Sequence, residues 1–74
     1  MFTVYSKKSC PFCDKAKEAL SQCGFEYEVC DIEESQEARD FFEHHNFKTV
    51  PQVYDEYNYI GGYEDLADYL LELI

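Results

Sequence analysis

Hydrophobic and polar positions alternate, recur or cluster in seven stretches along this chain. Phe2-Thr3-Val4-Tyr5 is short, β-branched and aromatic, and reads as a strand. Ala16, Ala19, Leu20 and Cys23 then fall at i, i+3, i+4 and i+7, the spacing of one helical face. Pro11 suits the first turn of that helix, where its missing N–H costs nothing, and Gly24 suits the left-handed residue past its end. Phe25 to Ile32 alternates apolar and acidic residues, which predicts a second strand with one wet face. Glu33-Glu34-Ser35 opens a second helix, its acids favoured at the N-terminus, with Ala38, Phe41, Phe42 and His45 on one face and Asn46 as terminator.

Val50-Pro51-Gln52-Val53-Tyr54 reads as a third strand, with Pro51 at its start because proline cannot donate within a central ladder. Asp55 to Asn58 make a turn, Tyr59-Ile60 a short partner strand, and Gly61-Gly62 a sharp bend. The last helix runs from Tyr63 to Leu73, with Leu66, Leu70 and Leu73 on one face and Glu64 and Asp65 in its first turn. The expected order is β-α-β-α-β-β-α.

Composition makes this one small folded domain over residues 1–74, with 46% hydrophobic and 18% aromatic residues and no low-complexity tract. Seven Tyr and six Phe compensate for the small size. The chain starts with no basic segment leading into a long apolar one, and no run approaches membrane-spanning length, so a cytoplasmic location is expected. Thiols stay reduced there, and four cysteines then argue for redox or metal chemistry over a disulfide scaffold. A net charge of -10 weighs against nucleic acid or an anionic membrane as partner.

The motif Cys10-Pro11-Phe12-Cys13 sits between the first strand and the first helix. Pro11 at the first helical position makes Cys10 the N-cap, where unsatisfied N–H groups and the helix dipole favour thiolate over thiol. Such sites bring a free thiol down from ~8.5 to roughly 3.5 to 7.5. Cys10 is therefore the expected nucleophile, and Cys13, one turn on and more covered, the resolving thiol. Four of the six cations, Lys7, Lys8, Lys15 and Lys17, lie beside the motif with only Asp14 opposing them. Lys7, three residues before Cys10, is read as functional, while Lys15 and Lys17 stay open between that role and ordinary exposed helix positions.

A metal site built from Cys10, Cys13, Cys23 and Cys30 with His44 and His45 is the rival chemistry. Six residues separate Cys23 from Cys30, against the two to four typical of zinc ligands, and no metal is expected. Cys23 and Cys30 read as small apolar residues at core or boundary positions, His45 as a packed aromatic and His44 as solvent-facing. Asp31, Glu33, Glu34, Glu37, Asp40 and Glu43 form a solvated acidic face that would disfavour acidic partners.

Three segments in order, Lys7-Lys8-Ser9-Cys10-Pro11-Phe12-Cys13, Thr49-Val50-Pro51-Gln52-Val53-Tyr54 and Gly61-Gly62-Tyr63-Glu64-Asp65-Leu66, resemble the glutaredoxins over essentially the whole chain. The resemblance implies an α/β, minimal thioredoxin-like fold with a four-stranded mixed sheet and three helices. It implies a glutathione site beside Cys10, with a cis Val50-Pro51 bond and the Val50 backbone pairing with the cysteinyl part of glutathione as an added strand. Lys7 matches the lysine that meets the glycyl carboxylate, and Lys48 is the choice for a second contact to it. The backbone N–H groups of Tyr63 and Glu64 match the donors for the γ-glutamyl carboxylate, after the structural glycines Gly61 and Gly62. Side chains of Glu64 or Asp65 would meet the amino group, and Thr49 flanks the groove. Pro51 and Phe12, which stands where the family usually has Tyr, complete the implied glutathione-binding set.

The activity implied is glutathione-dependent thiol–disulfide exchange, reducing protein disulfides and glutathionyl mixed disulfides through Cys10 and Cys13, in electron transport and cell redox homeostasis. Its partners would be glutathione and disulfide-containing or glutathionylated proteins, ribonucleotide reductase among the candidates, with the protein a monomer. The alternative resembles the glutaredoxin-like redoxins that take electrons from thioredoxin reductase and donate them to ribonucleotide reductase. Pro11 argues against the cluster-bridging relatives, and Cys23 and Cys30 as a regulatory disulfide or glutathionylation site is the sharper alternative to their packing role.

Overall fold

Alternation along Phe2-Thr3-Val4-Tyr5-Ser6 assigns one side of the sheet to each set of helices. A computed structural model describes residues 1–74, with β1 at Phe2–Ser6, α1 at Pro11–Gln22, β2 at Tyr27–Asp31 and α2 at Gln36–His44. β3 follows at Gln52–Asp55, β4 at Asn58–Gly61 and α3 at Tyr63–Leu73. The strands form one mixed sheet in the order β2-β1-β3-β4, with β1 parallel to β2, β3 antiparallel to β1, and β4 antiparallel to β3. This is the expected thioredoxin-like arrangement.

Phe2, Val4 and Ser6 of β1 are buried while Thr3 and Tyr5 point to the other face. On the first face, Phe2, Val4 and Val53 pack with Ala16 and Leu20 of α1 and Leu66 and Leu70 of α3, forming the main core. On the second face, Tyr5 stacks on Phe41 of α2 at 4.8 Å between centroids, and Tyr54 meets both edge-on. The large aromatic content thus supplies a second packing layer that aliphatic residues of a chain this short do not provide. Tyr69 of α3 adds a polar tie, donating its hydroxyl to Asp55 Oδ2 at 2.5 Å.

Several expectations need correction. β2 is shorter than the alternating run, and Val29 is 43% exposed although it lies beside fully buried Val4, because β2 is an edge strand with a neighbour on one side only. α2 starts at Gln36 and not at Glu33. The Asp31 carboxylate accepts from the N–H groups of Glu33 and Glu34 at 2.8 and 3.1 Å, holding them in a turn. Ser35 then caps the helix by accepting from Ala38 N–H at 3.2 Å. Leu73 leaves the core face, 49% exposed where Leu66 is fully buried, as the last turn of α3 runs off the sheet. His45 is exposed and not packed inside, yet its ring stacks on Phe41 at 4.1 Å and on Phe47 at 5.6 Å. Asn46 ends α2 with φ 57, as its position predicts. No helix is long and apolar enough to cross a membrane.

Candidate active site

The site is assembled where β1 hands over to α1. Ser9 sits in the left-handed region with φ 57, turning the chain so that Cys10 enters as the extended N-cap with φ -118 and ψ 99. Pro11 takes the first helical position, and the Cys13 N–H donates to Cys10 Sγ at 3.2 Å. The two cysteines are joined as a disulfide across a Cα separation of 5.2 Å, so the structure is the oxidised form. Cys10 keeps 8% exposure while Cys13 has none, so Cys10 is the more accessible of the two sulfurs.

Thr49, Val50 and Pro51 form the facing wall. The Val50-Pro51 bond is cis, and β3 starts only after it, at Gln52. The Val50 carbonyl oxygen lies 3.9 Å from Cys10 Sγ, a contact and not a hydrogen bond, because a disulfide sulfur carries no proton. The Val50 N–H takes part in no backbone hydrogen bond, leaving it free beside Cys10.

The third wall is the N-terminus of α3. Gly61 has φ +128, and a Cβ there would collide with the Asp65 carboxylate. That carboxylate folds back to accept from the Gly62 N–H at 3.4 Å, while Tyr63 and Glu64 present first-turn N–H groups with no intrahelical acceptor. Phe12, Thr49, Val50, Pro51, Gly62, Tyr63, Glu64 and Asp65 together line an open cleft of about 330 Å³. Backbone donors and an aromatic rim dominate it, a setting for a small anionic peptide-like ligand.

The lysines divide. Lys8 pairs with Glu34 at 3.1 Å, Lys17 with Asp14 at 3.4 Å, and Lys15 stands 5.2 Å over the Phe12 ring. Lys7 has no ion-pair partner, and both it and Lys48 are exposed beyond the residues that line the cleft. Thus seven of the nine positions expected to bind ligand share one cleft, and the two lysines lie outside its lining. Cys23 and Cys30 are free and half-buried, Cys23 against the main core. Burial first, and Glu28 second, raise the Cys30 thiol above its ordinary range. No group of three or more His, Cys, Asp or Glu is placed to hold a metal ion.

Two residues of the site escaped the sequence reading. Gln52 is buried, and its amide donates to Thr49 O at 2.9 Å and Thr49 Oγ1 at 3.3 Å while its oxygen accepts from the Tyr59 hydroxyl at 2.5 Å. A lone amide inside an otherwise apolar strand was the available signal.

Comparison with known proteins agrees with this geometry. The glutaredoxin family model matches residues 2–60. Glutaredoxin-1 of ectromelia virus (strain Moscow) is 40% identical over 73 residues, which cover 89% of this chain and 68% of the viral protein. Among solved structures, the buckwheat glutaredoxin–glutathione complex superposes with a TM-score of 0.80 at 21% identity, covering 96% of this chain and 68% of that one. The glutaredoxin-like protein NrdH-redoxin from Escherichia coli superposes with a TM-score of 0.83 at 23% identity, covering 99% and 93%. At these identities the two structures speak for the fold.

Proposed function

This chain belongs to the glutaredoxin family, a thiol–disulfide oxidoreductase by that membership, and from there we propose that glutathione is its reductant. The observation that carries the proposal is the cleft beside Cys10, which sets an unpaired backbone edge at Val50 opposite free N–H groups at the start of α3. An extended tripeptide can add to the first as a strand while its carboxylate meets the second. The buckwheat protein, solved as a glutathione complex, lends support through its shared fold.

In the proposed cycle, the Cys10 thiolate attacks the glutathionyl sulfur of a mixed disulfide, and the substrate sulfur leaves with the electron pair and takes a proton. A second glutathione thiolate then attacks the glutathione sulfur held on Cys10, releasing glutathione disulfide and restoring the Cys10 thiolate. For a protein disulfide, Cys10 attacks first and Cys13 resolves, leaving the Cys10–Cys13 bond, which two glutathione molecules reduce. Backbone amides and the helix dipole stabilise the Cys10 thiolate. Glutathionylated and disulfide-containing proteins are the proposed substrates.

The second reading is a redoxin reduced by thioredoxin reductase and donating to ribonucleotide reductase. What favours it is the likeness to the Escherichia coli redoxin, whose described activity profile is thioredoxin-like, together with Lys7 and Lys48 standing outside the cleft wall. Turnover of a glutathionylated small disulfide with glutathione, glutathione reductase and NADPH supports the first reading. Near-zero turnover there, with good activity from thioredoxin reductase, replaces it with the second.

A further inference from the structure

We infer that half-exposed Tyr59 and buried Gln52 are positioning residues, a hydrogen-bonded brace that holds the Thr49–Val50 wall at a fixed distance from the α3 wall and thereby sets the fit of the bound tripeptide. The inference rests on the glutathione reading for its effect on catalysis, though not for its effect on the wall itself.

Lys48 to Pro51 lie outside the strand ladder, and no backbone hydrogen bond ties any of these four residues down. The fixed contacts come instead from one side chain. Gln52 Nε2 donates both to the Thr49 carbonyl at 2.9 Å and to its hydroxyl at 3.3 Å. An amide group can rotate, and a buried one that loses a partner is costly, so its orientation must be set from the other end. Tyr59 does this by donating its hydroxyl to Gln52 Oε1 at 2.5 Å, which leaves Nε2 as the atom facing Thr49.

Tyr59 in turn is well held. Its ring stacks on Phe47 at 5.3 Å and tilts against Tyr54 at the same distance. It also stands in β4 two residues before Gly61, the start of the opposite wall. Partial desolvation of this half-exposed residue first, and nearby Asp65 second, raise its phenol above the ordinary range, so it remains a donor at neutral pH. The chain Tyr59–Gln52–Thr49 thus ties β4, just before the α3 wall, to the Thr49–Val50 wall. None of its atoms touches the reacting sulfurs, and its influence on the reaction runs through Val50.

The test uses Tyr59→Phe, which keeps the stacked ring and removes the hydroxyl, and Gln52→Glu, which keeps the shape and the acceptor for Tyr59 but replaces the donors to Thr49. Kinetics of a glutathionylated small disulfide and backbone 15N order parameters of the oxidised proteins are measured for both and for wild type. The expected result is a KM raised by roughly 3- to 10-fold in each variant, the scale of one lost hydrogen bond, with kcat within about twofold. The Val50 order parameter should fall from about 0.85 toward 0.6 while the helices stay unchanged. An unchanged KM or an unchanged Val50 order parameter in the folded variants overturns the inference. If wild type does not turn over the glutathionyl substrate, the glutathione reading has failed, and the order parameter alone then decides whether the brace holds the wall. Should Gln52→Glu fail to fold, Tyr59→Phe decides by the same criteria.

Discussion

The backbone N–H of Cys13 donates to the sulfur of Cys10 at 3.2 Å, so the residue expected to resolve the mixed disulfide also helps to hold the expected nucleophile. That donor belongs to the main chain and survives replacement of the Cys13 side chain by that of serine. Cys13→Ser should therefore keep deglutathionylation within a few-fold of wild type while losing dithiol reduction of protein disulfides, and Cys10→Ser should lose both. Parallel assays on a glutathionylated and a disulfide-bonded protein check this. Protein disulfide reduction surviving in Cys13→Ser would remove Cys13 from its role.

Gly61 combines a φ of +128 with an Asp65 carboxylate that stands where a Cβ would have to go. Gly61→Ala should destabilise the fold by more than about 1 kcal/mol, because the backbone strain and the collision add. Thermal melts of Gly61→Ala, Asp65→Ala and the double variant separate the two causes. Removing the Asp65 carboxylate should recover the collision part alone. A melting temperature for Gly61→Ala equal to wild type contradicts the account.

Leu20 and Leu66 are fully buried, whereas Leu73 is half exposed. Either Leu20→Ala or Leu66→Ala should cost about 2 to 5 kcal/mol by lost transfer energy and the cavity left behind. Leu73→Ala should fall within about 0.5 kcal/mol of wild type, as surface substitutions do. Urea denaturation of the three variants provides the comparison, and a Leu73→Ala cost equal to that of Leu66→Ala would restore it to the core.

The hydrogen bond to Asp55, first, and burial, second, raise the Tyr69 phenol above its ordinary range. A group whose folded pKa is raised contributes stability that is fully present below the unfolded value, near ~10, and that is lost as pH climbs through the folded value. Stability should thus hold through neutral pH and decline in the alkaline range. Tyr69→Phe should lower stability at neutral pH and flatten that decline. Denaturation curves taken at neutral pH and at successive alkaline pH values measure both effects, and an alkaline decline as steep in Tyr69→Phe as in wild type contradicts it.

Much of this molecule was legible before any coordinates, and the reason is local. Pro11 after Cys10, the paired glycines before Tyr63 and the periodic Ala16, Leu20, Leu66 and Leu70 each act through their own backbone or their own helix face. What escaped depended on partners far along the chain. Leu73 obeys the helical period, but burial needs a surface opposite, and the sheet has ended by that turn. The acids at Glu33 and Glu34 favour a helix N-terminus, yet Asp31 captures their N–H groups first. Gln52 reads as a strand residue, and only the fold reveals that Tyr59 and Thr49 meet it from opposite sides. Likewise the lysine cluster counts as one island in sequence, whereas Glu34 and Asp14 engage two of its members in space.

The proposed chemistry depends most directly on the ionisation of Cys10 in the reduced protein. Thiolate absorbance and the rate of alkylation, followed against pH in the Cys13→Ser variant, isolate that single sulfur. A midpoint in the range of roughly 3.5 to 7.5, where helix-start thiols titrate, is the predicted result. A midpoint at or above ~8.5, that of an unassisted thiol, would contradict it.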